Sequence, residues 1–158
     1  MATVSYVDDS RDVAAMRVLV VEDFEPFRQF IRSKLGEKPE LQIIGEVSDG
    51  GEAVLKADEL QPDLILLDVG LPTLDGIEAA RQICKLSPNS KIVFVSQESS
   101  ADVVQEALRS GGWGYVLKSH AGIDLLLAVE AVCESRFFVS SGLLSHGDIK
   151  EPQNTTLQ

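Results

Sequence analysis

Four consecutive apolar side chains, Leu64, Ile65, Leu66 and Leu67, stand between Asp63 and Asp68. A run this short and this uniformly apolar reads as a strand covered on both faces, the state of strands in a parallel sheet flanked by helices. Ligands of such sheets sit at the carboxyl ends of the strands, so Asp68 is delivered to the rim where binding occurs. A second run, residues 18–21, ends in Glu22 and Asp23. If the two strands are neighbours, three carboxylates crowd one rim. They then need a cation among them, because like charges at close range raise one another's pKa.

Apolar runs alternate with amphipathic stretches along the whole chain. Strands are predicted at 18–21, 43–47, 64–67, 92–95 and 115–117, and helices at 26–35, 51–60, 77–84, 101–109 and 123–135. Five strand–helix repeats predict an α/β, doubly wound (βα)5 three-layer sandwich with a five-stranded parallel sheet. Pro26 stands where a first-turn proline is tolerated, and Phe27, Phe30, Ile31 and Leu35 then share one helical face. Pro62, Pro72, Pro88 and the Gly111-Gly112 pair punctuate the connections. Residues 1–15 read as an extension outside the core, 16–136 as the folded domain, and 137–158 as a linker-like tail without helix or strand pattern.

Composition narrows the classes. With 158 residues, 44% of them hydrophobic, the chain is one domain able to bury a sizeable core. A net charge of −11 argues against nucleic-acid binding by this chain itself, since phosphate contacts need a basic face. No apolar run approaches the roughly 20 residues of a membrane span, and the N-terminus lacks the pattern of a signal peptide. A cytoplasmic protein without membrane contact is expected. Cys84 and Cys133 lack metal-ligand spacing and read as reduced thiols without a function.

The residues closing the other strands complete the rim. Lys118 follows the strand at 115–117 and can place an ammonium against a phosphoryl oxygen. Ser96 ends the strand at 92–95 and offers a hydroxyl. Taken singly, Glu22 and Asp23 are a solvated turn, Lys118 a surface lysine and Ser96 the cap of the next helix. Together they suit Mg²⁺, a hard cation held by one or two carboxylates plus a phosphate.

In order and spacing, Val20-Val21-Glu22-Asp23, Leu67-Asp68-Val69-Gly70-Leu71-Pro72 with Asp75-Gly76, Ser96 and Gly114-Tyr115-Val116-Leu117-Lys118 resemble the receiver domain of bacterial two-component response regulators, over about residues 17–136. The resemblance implies a flavodoxin-like, CheY-like fold. It also implies that Asp68 accepts a phosphoryl group from a sensor histidine kinase, in a Mg²⁺-dependent reaction that the domain performs on itself rather than as a turnover enzyme. Asp23 and Asp68 would be direct metal ligands, Glu22 a ligand through water, and Gly70 would lend its backbone carbonyl. Lys118 would pair with the phosphoryl group, Ser96 would hydrogen-bond it, and Tyr115 would be the switch aromatic whose ring moves as Ser96 is drawn in.

Ser119 follows Lys118 where many members carry proline, so this segment resembles the NarL/LuxR-type subfamily attached to helix-turn-helix domains. That likeness implies a homodimer, and either a missing DNA-binding output domain or a single-domain regulator acting by protein contact. Gly112-Trp113-Gly114 replaces the more usual Gly-Ala pair, with Trp113 read as packing or exposed loop, and Gln97 puts a large side chain beside the pocket. The competing readings are weaker. A haloacid-dehalogenase-like phosphatase wants a second aspartate where Gly70 stands, and a flavodoxin-type electron carrier would not place Glu22-Asp23-Phe24-Glu25 in its phosphate loop. A phosphorylation-independent docking scaffold would have lost an acidic residue or the lysine.

Overall fold

In the computed structural model, which describes residues 15–144, the fully buried strand β3 (Leu64–Leu67) lies near the middle of the sheet. On one side it pairs in parallel with β1 (Met16–Val21), which in turn carries β2 (Leu41–Val47). On the other side come β4 (Lys91–Ser96) and β5 (Gly112–Leu117), also parallel. Val21 and Leu67 end β1 and β3 side by side, in register with Phe94, and β4 runs on to Ser96. All carboxyl ends therefore open on the same rim.

Alternation along each strand divides the core in two. Leu19, Val21, Ile65, Leu67, Phe94 and Tyr115 face α2 (Gly50–Leu60), α3 (Gly76–Leu86) and α4 (Ala101–Arg109). Val18, Val20, Leu64, Leu66, Val93 and Val116 face α1 (Glu25–Leu35) and α5 (Ala121–Cys133). Small residues on the helices, Ala53, Ala57, Ala79 and Ala80 among them, let the helices lie close to the sheet. The α/β three-layer sandwich expected from the repeats is what forms.

Side chains set where the helices begin. Asp49 accepts from the Glu52 amide at 2.7 Å, Asp75 from that of Glu78 at 2.9 Å, and Ser100 from that of Val103 at 3.4 Å. Each satisfies an amide that the first turn leaves without a partner. Gly76 is there for a different reason: a Cβ at this position would fall 2.0 Å from the Asp68 carbonyl oxygen. Only glycine lets α3 start against the backbone of Asp68.

The expected five-stranded sheet has a sixth member. Phe138–Val139 forms β6, parallel to β5 with Gly114 opposite Phe138 and Tyr115 opposite Val139, and a single helical turn, α6 (Ser141–Leu144), follows. These residues were read as patternless tail. Two residues are too few to show a period of two, and what recruits them is the row of unpaired groups along the edge of β5. The expected extension at 1–15, apart from Ala15, and the rest of the tail from residue 145 lie outside the described residues. Among the described residues no helix is long and apolar enough to cross a membrane.

Leu143, 1% exposed, packs in the same apolar cluster as Phe94, Tyr115 and Leu117. Leu143→Ala is expected to lower unfolding stability by about 2–3 kcal/mol in urea denaturation, the cost of a cavity in a core. A change within about 0.5 kcal/mol, normal for a surface position, would show that the segment does not belong to the fold.

Candidate functional site

The ladders of the sheet run one residue past the strands at the rim. The Glu22 amide donates to the Val47 carbonyl at 3.0 Å, and the Asp68 amide to the Val21 carbonyl at 3.1 Å. Both carboxylates thus stand on backbone held as firmly as the strands. Glu22 and Asp68 are buried while Asp23 is exposed, and one carboxylate oxygen of each lies within 4.8 Å of the others. Arg28 Nη1 donates to the Glu22 carbonyl at 3.0 Å, which ties the first turn of α1 to this loop.

Lys118 enters from two strands away. Neighbouring strands are about 4.8 Å apart, and β4 lies between β3 and β5, so a long side chain is needed to close the gap. Its Nζ lies 2.9 Å from Glu22 Oε1 and 3.0 Å from Asp68 Oδ2. The Phe27 ring covers a further side of the ammonium, with its centroid 4.7 Å from Nζ. A buried cation is stable only when paired and hydrogen-bonded. Here two carboxylates and an aromatic face supply that.

Charge in the cluster is unbalanced. Burial is the main influence raising the Glu22 carboxyl pKa above the ordinary range; the Lys118 hydrogen bond opposes it and the Asp68 charge adds to it. For Lys118, burial pulls the ammonium pKa down, but the bonds and charges of Glu22 and Asp68 outweigh it and the net direction is up. One ammonium facing three carboxylates leaves negative charge uncompensated. The all-oxygen donor set and its spacing fit a hard divalent cation.

A cleft beside the cluster is lined by Asp23, Phe24, Asp68, Gly70, Ser96, Gln97, Glu98 and Lys118. Asp68 Oδ1 accepts from the Gly70 amide at 3.2 Å. Ser96 is buried at the end of β4, and its Oγ accepts from the Glu98 amide at 3.1 Å. It does not cap the next helix; Ser100 does that. The Tyr115 ring is fully buried and its hydroxyl donates to the Glu98 carbonyl at 2.8 Å. Burial, chiefly, pushes this phenol up to about 12, with Ser96 pulling the other way and the charges of Glu98 and Asp68 adding to the rise.

Every residue expected at the site is therefore found around one rim: Asp23, Asp68, Gly70, Ser96 and Lys118 line the cleft, Glu22 belongs to the carboxylate cluster beside it, and Tyr115 is bonded to the Glu98 turn. Two participants were not expected. Glu98 joins Ser96 to Tyr115 through its backbone, which leaves no mark in residue type. Phe27 was placed on the sheet-facing stripe of α1, but its contact with Lys118 depends on tertiary packing. Trp113, read as packing or exposed loop, stacks on Phe137 with centroids 4.5 Å apart. Cys84 and Cys133 are free thiols.

The model of the response regulator receiver domain matches residues 18–130. The chain belongs to the response regulator receiver family. The transcriptional regulatory protein LiaR of Bacillus subtilis is 36% identical over 116 residues, covering 73% of this chain and 55% of LiaR. This receiver domain thus spans about half the length of that relative. Among solved structures, a LuxR-family two-component response regulator from Aurantimonas sp. SI85-9A1 superposes with a TM-score of 0.79 at 28% identity, over 84% of this chain and 94% of that one. The response regulator domain of Thermotoga maritima CheB superposes at 0.65 with 34% identity, over 77% and 92%. The NarL/LuxR-type likeness read from Lys118-Ser119 agrees with these relatives.

Tyr115→Phe is expected to cost about 1 kcal/mol at neutral pH, the worth of one buried hydrogen bond. That cost should shrink in alkali. The folded phenol titrates near 12 and an ordinary one near 10, so the stability tied to the neutral phenol is complete below 10 and is lost as pH rises through 10 towards 12. Urea unfolding of both proteins from neutral pH to about 11 tests this; a difference that does not change with pH would refute it.

Proposed function

We propose that this receiver domain takes a phosphoryl group onto Asp68 from the phosphohistidine of a sensor histidine kinase and uses the new charge to switch its protein contacts. The observation that carries the reading is the setting of Asp68 itself. Its carboxylate is buried at a strand end, with Oδ2 on the Lys118 ammonium and Oδ1 on the Gly70 amide. An Asp68 oxygen attacks phosphorus in line, the phosphorus–nitrogen bond to the imidazole breaks, and the imidazole leaves with a proton. Lys118 then meets an equatorial oxygen of the phosphoryl group instead of the bare carboxylate. Mg²⁺, held by Asp23, Asp68 and the Gly70 carbonyl, with Glu22 through water, would neutralise charge on the transferring group.

Ser96 lines the same cleft as Asp68, and turning its side chain to donate the hydroxyl to a phosphoryl oxygen would disturb the Glu98 turn that it now holds. That turn also accepts from Tyr115, so the aromatic responds. This is a two-state element biased by a charge. Each phosphoryl group is chemistry done by the domain on itself, so there is no turnover of a separate substrate. The output is a transcriptional one, by the example of LiaR. At a net charge of −11, DNA contact is left to another module.

Intact-mass measurement after treatment with acetyl phosphate and Mg²⁺ is expected to find one acid-labile phosphoryl group on the wild type and none on Asp68→Asn. An unchanged adduct in the variant would eliminate Asp68 as acceptor.

Mg²⁺ is also expected to raise the melting temperature of the unmodified protein, since a ligand bound only by the folded state stabilises it by mass action. Asp23→Ala should abolish the shift. A wild type that responds no more to Mg²⁺ than to Na⁺ at equal ionic strength would remove the metal from the reading.

A further inference from the structure

Beyond α5 the chain turns back on itself and runs up the outer edge of β5. Ser135 takes a left-handed conformation at φ 61, and the Arg136 amide donates to the Ala131 carbonyl at 2.8 Å. Phe137 then stacks on Trp113 of β5 with planes 9° apart. After the two residues of β6, Ser140 bonds β5 twice. Its amide donates to the Tyr115 carbonyl at 3.0 Å, and its Oγ accepts from the Leu117 amide at 3.1 Å. Ser140 is completely buried. The Leu143 amide donates back to the Ser140 carbonyl at 2.9 Å, and the Leu143 side chain closes the arrangement from the core.

The position of these bonds on β5 matters more than their number. Tyr115 is the buried aromatic joined to the Glu98 turn. Leu117 is the residue before Lys118, and its peptide aims the lysine stem across β4 towards Asp68. On the outer edge of the sheet, both therefore have a backbone group bonded to one residue. A two-residue strand has little stability of its own. What retains it is side chain–backbone bonding and one apolar anchor, the kind of attachment that opens at lower free energy than the core.

We infer that Ser140 is a positioning residue for Lys118, and that residues 138–144 form a latch through which the state of the Asp68 site is passed to the chain that follows. The inference rests on the phosphoryl-accepting role proposed above. Lys118 holds Glu22 and Asp68 together only while the Leu117–Lys118 peptide stays where Ser140 holds it. When charge is added at Asp68, Lys118 and Tyr115 are the side chains that respond, and the bonds of Ser140 lie on their own strand. Coupling of this kind is reciprocal: a closed latch that keeps Lys118 in place favours binding at Asp68, so binding there tightens the latch, and loosening the latch weakens binding by the same factor.

The test uses beryllofluoride, which stands in for the phosphoryl group on Asp68, with Mg²⁺ and the full chain labelled with ¹⁵N. In the wild type, the amides of Leu117, Ser140 and Leu143 are expected to change position and hydrogen-exchange rate on binding. Ser140→Ala should lose protection at the Leu117 amide and bind beryllofluoride about 3- to 10-fold more weakly, the fold-change of one lost hydrogen bond. Ser140→Thr, which keeps the hydroxyl, should recover most of the affinity. A merely structural serine would lower the melting temperature of Ser140→Ala and leave the affinity alone; that result overturns the inference. So does a wild type that binds beryllofluoride while those three amides stay unchanged, a measurement that holds even if Ser140→Ala does not fold. A wild type that binds none overturns the proposed function first, and the latch with it.

Discussion

Like charge brought to one place by a parallel sheet is the constraint on which the rest of this molecule depends. Parallel strands all end in the same direction, so any acidic residues closing β1 and β3 must meet. Glu22, Asp23 and Asp68 do meet, and they would push the rim apart without an ammonium among them. Lys118 supplies it from β5, and the demands of that reach explain much of the surroundings. The Phe27 ring shields the cation, and the strand beneath it is fastened on its outer edge. The site is thus held in a balance that a bound cation or a phosphoryl group would be expected to alter.

The position of α3 follows from the same constraint. The chain leaves Asp68 through a tight turn in which the Gly76 amide donates to the Val69 carbonyl at 2.8 Å. With no side chain at Gly76, the first turn of α3 rests directly on the backbone of Asp68. The carboxylate is therefore backed by strand on one side and by helix on the other, and its freedom is confined to its own torsions. Preorganisation of this kind is what lets a site act by position and charge instead of by rearrangement.

Much of this could be read in the residues. The strand at 64–67 appears with the bounds expected of it, because four apolar residues in a row have no solvent-facing alternative. Glu22, Asp23, Asp68, Ser96 and Lys118 converge because each closes a strand, and strand order does the rest. Boundaries were less legible: β5 begins at Gly112, not at 115, since two glycines around Trp113 hide the apolar pattern. What escaped altogether acts without a periodic or compositional mark. Glu98 works through its backbone, Phe27 through a contact between distant elements, and Ser140 through a hydroxyl in a stretch that looks like linker.

The sixth strand has a meaning for the life of the protein in a crowded cell. A sheet edge with free amides and carbonyls is a template for any other extended chain, and soluble proteins blunt such edges. Here β5 is lined by Trp113, Tyr115 and Val116, residues that favour cross-strand pairing. Phe138–Val139 occupies the edge opposite Gly114 and Tyr115, and Ser140 takes the next amide along. Proteolytic clipping or an early stop that removed these few residues would do more than shorten the chain: it would uncover a sticky strand and make the domain a seed for aggregation.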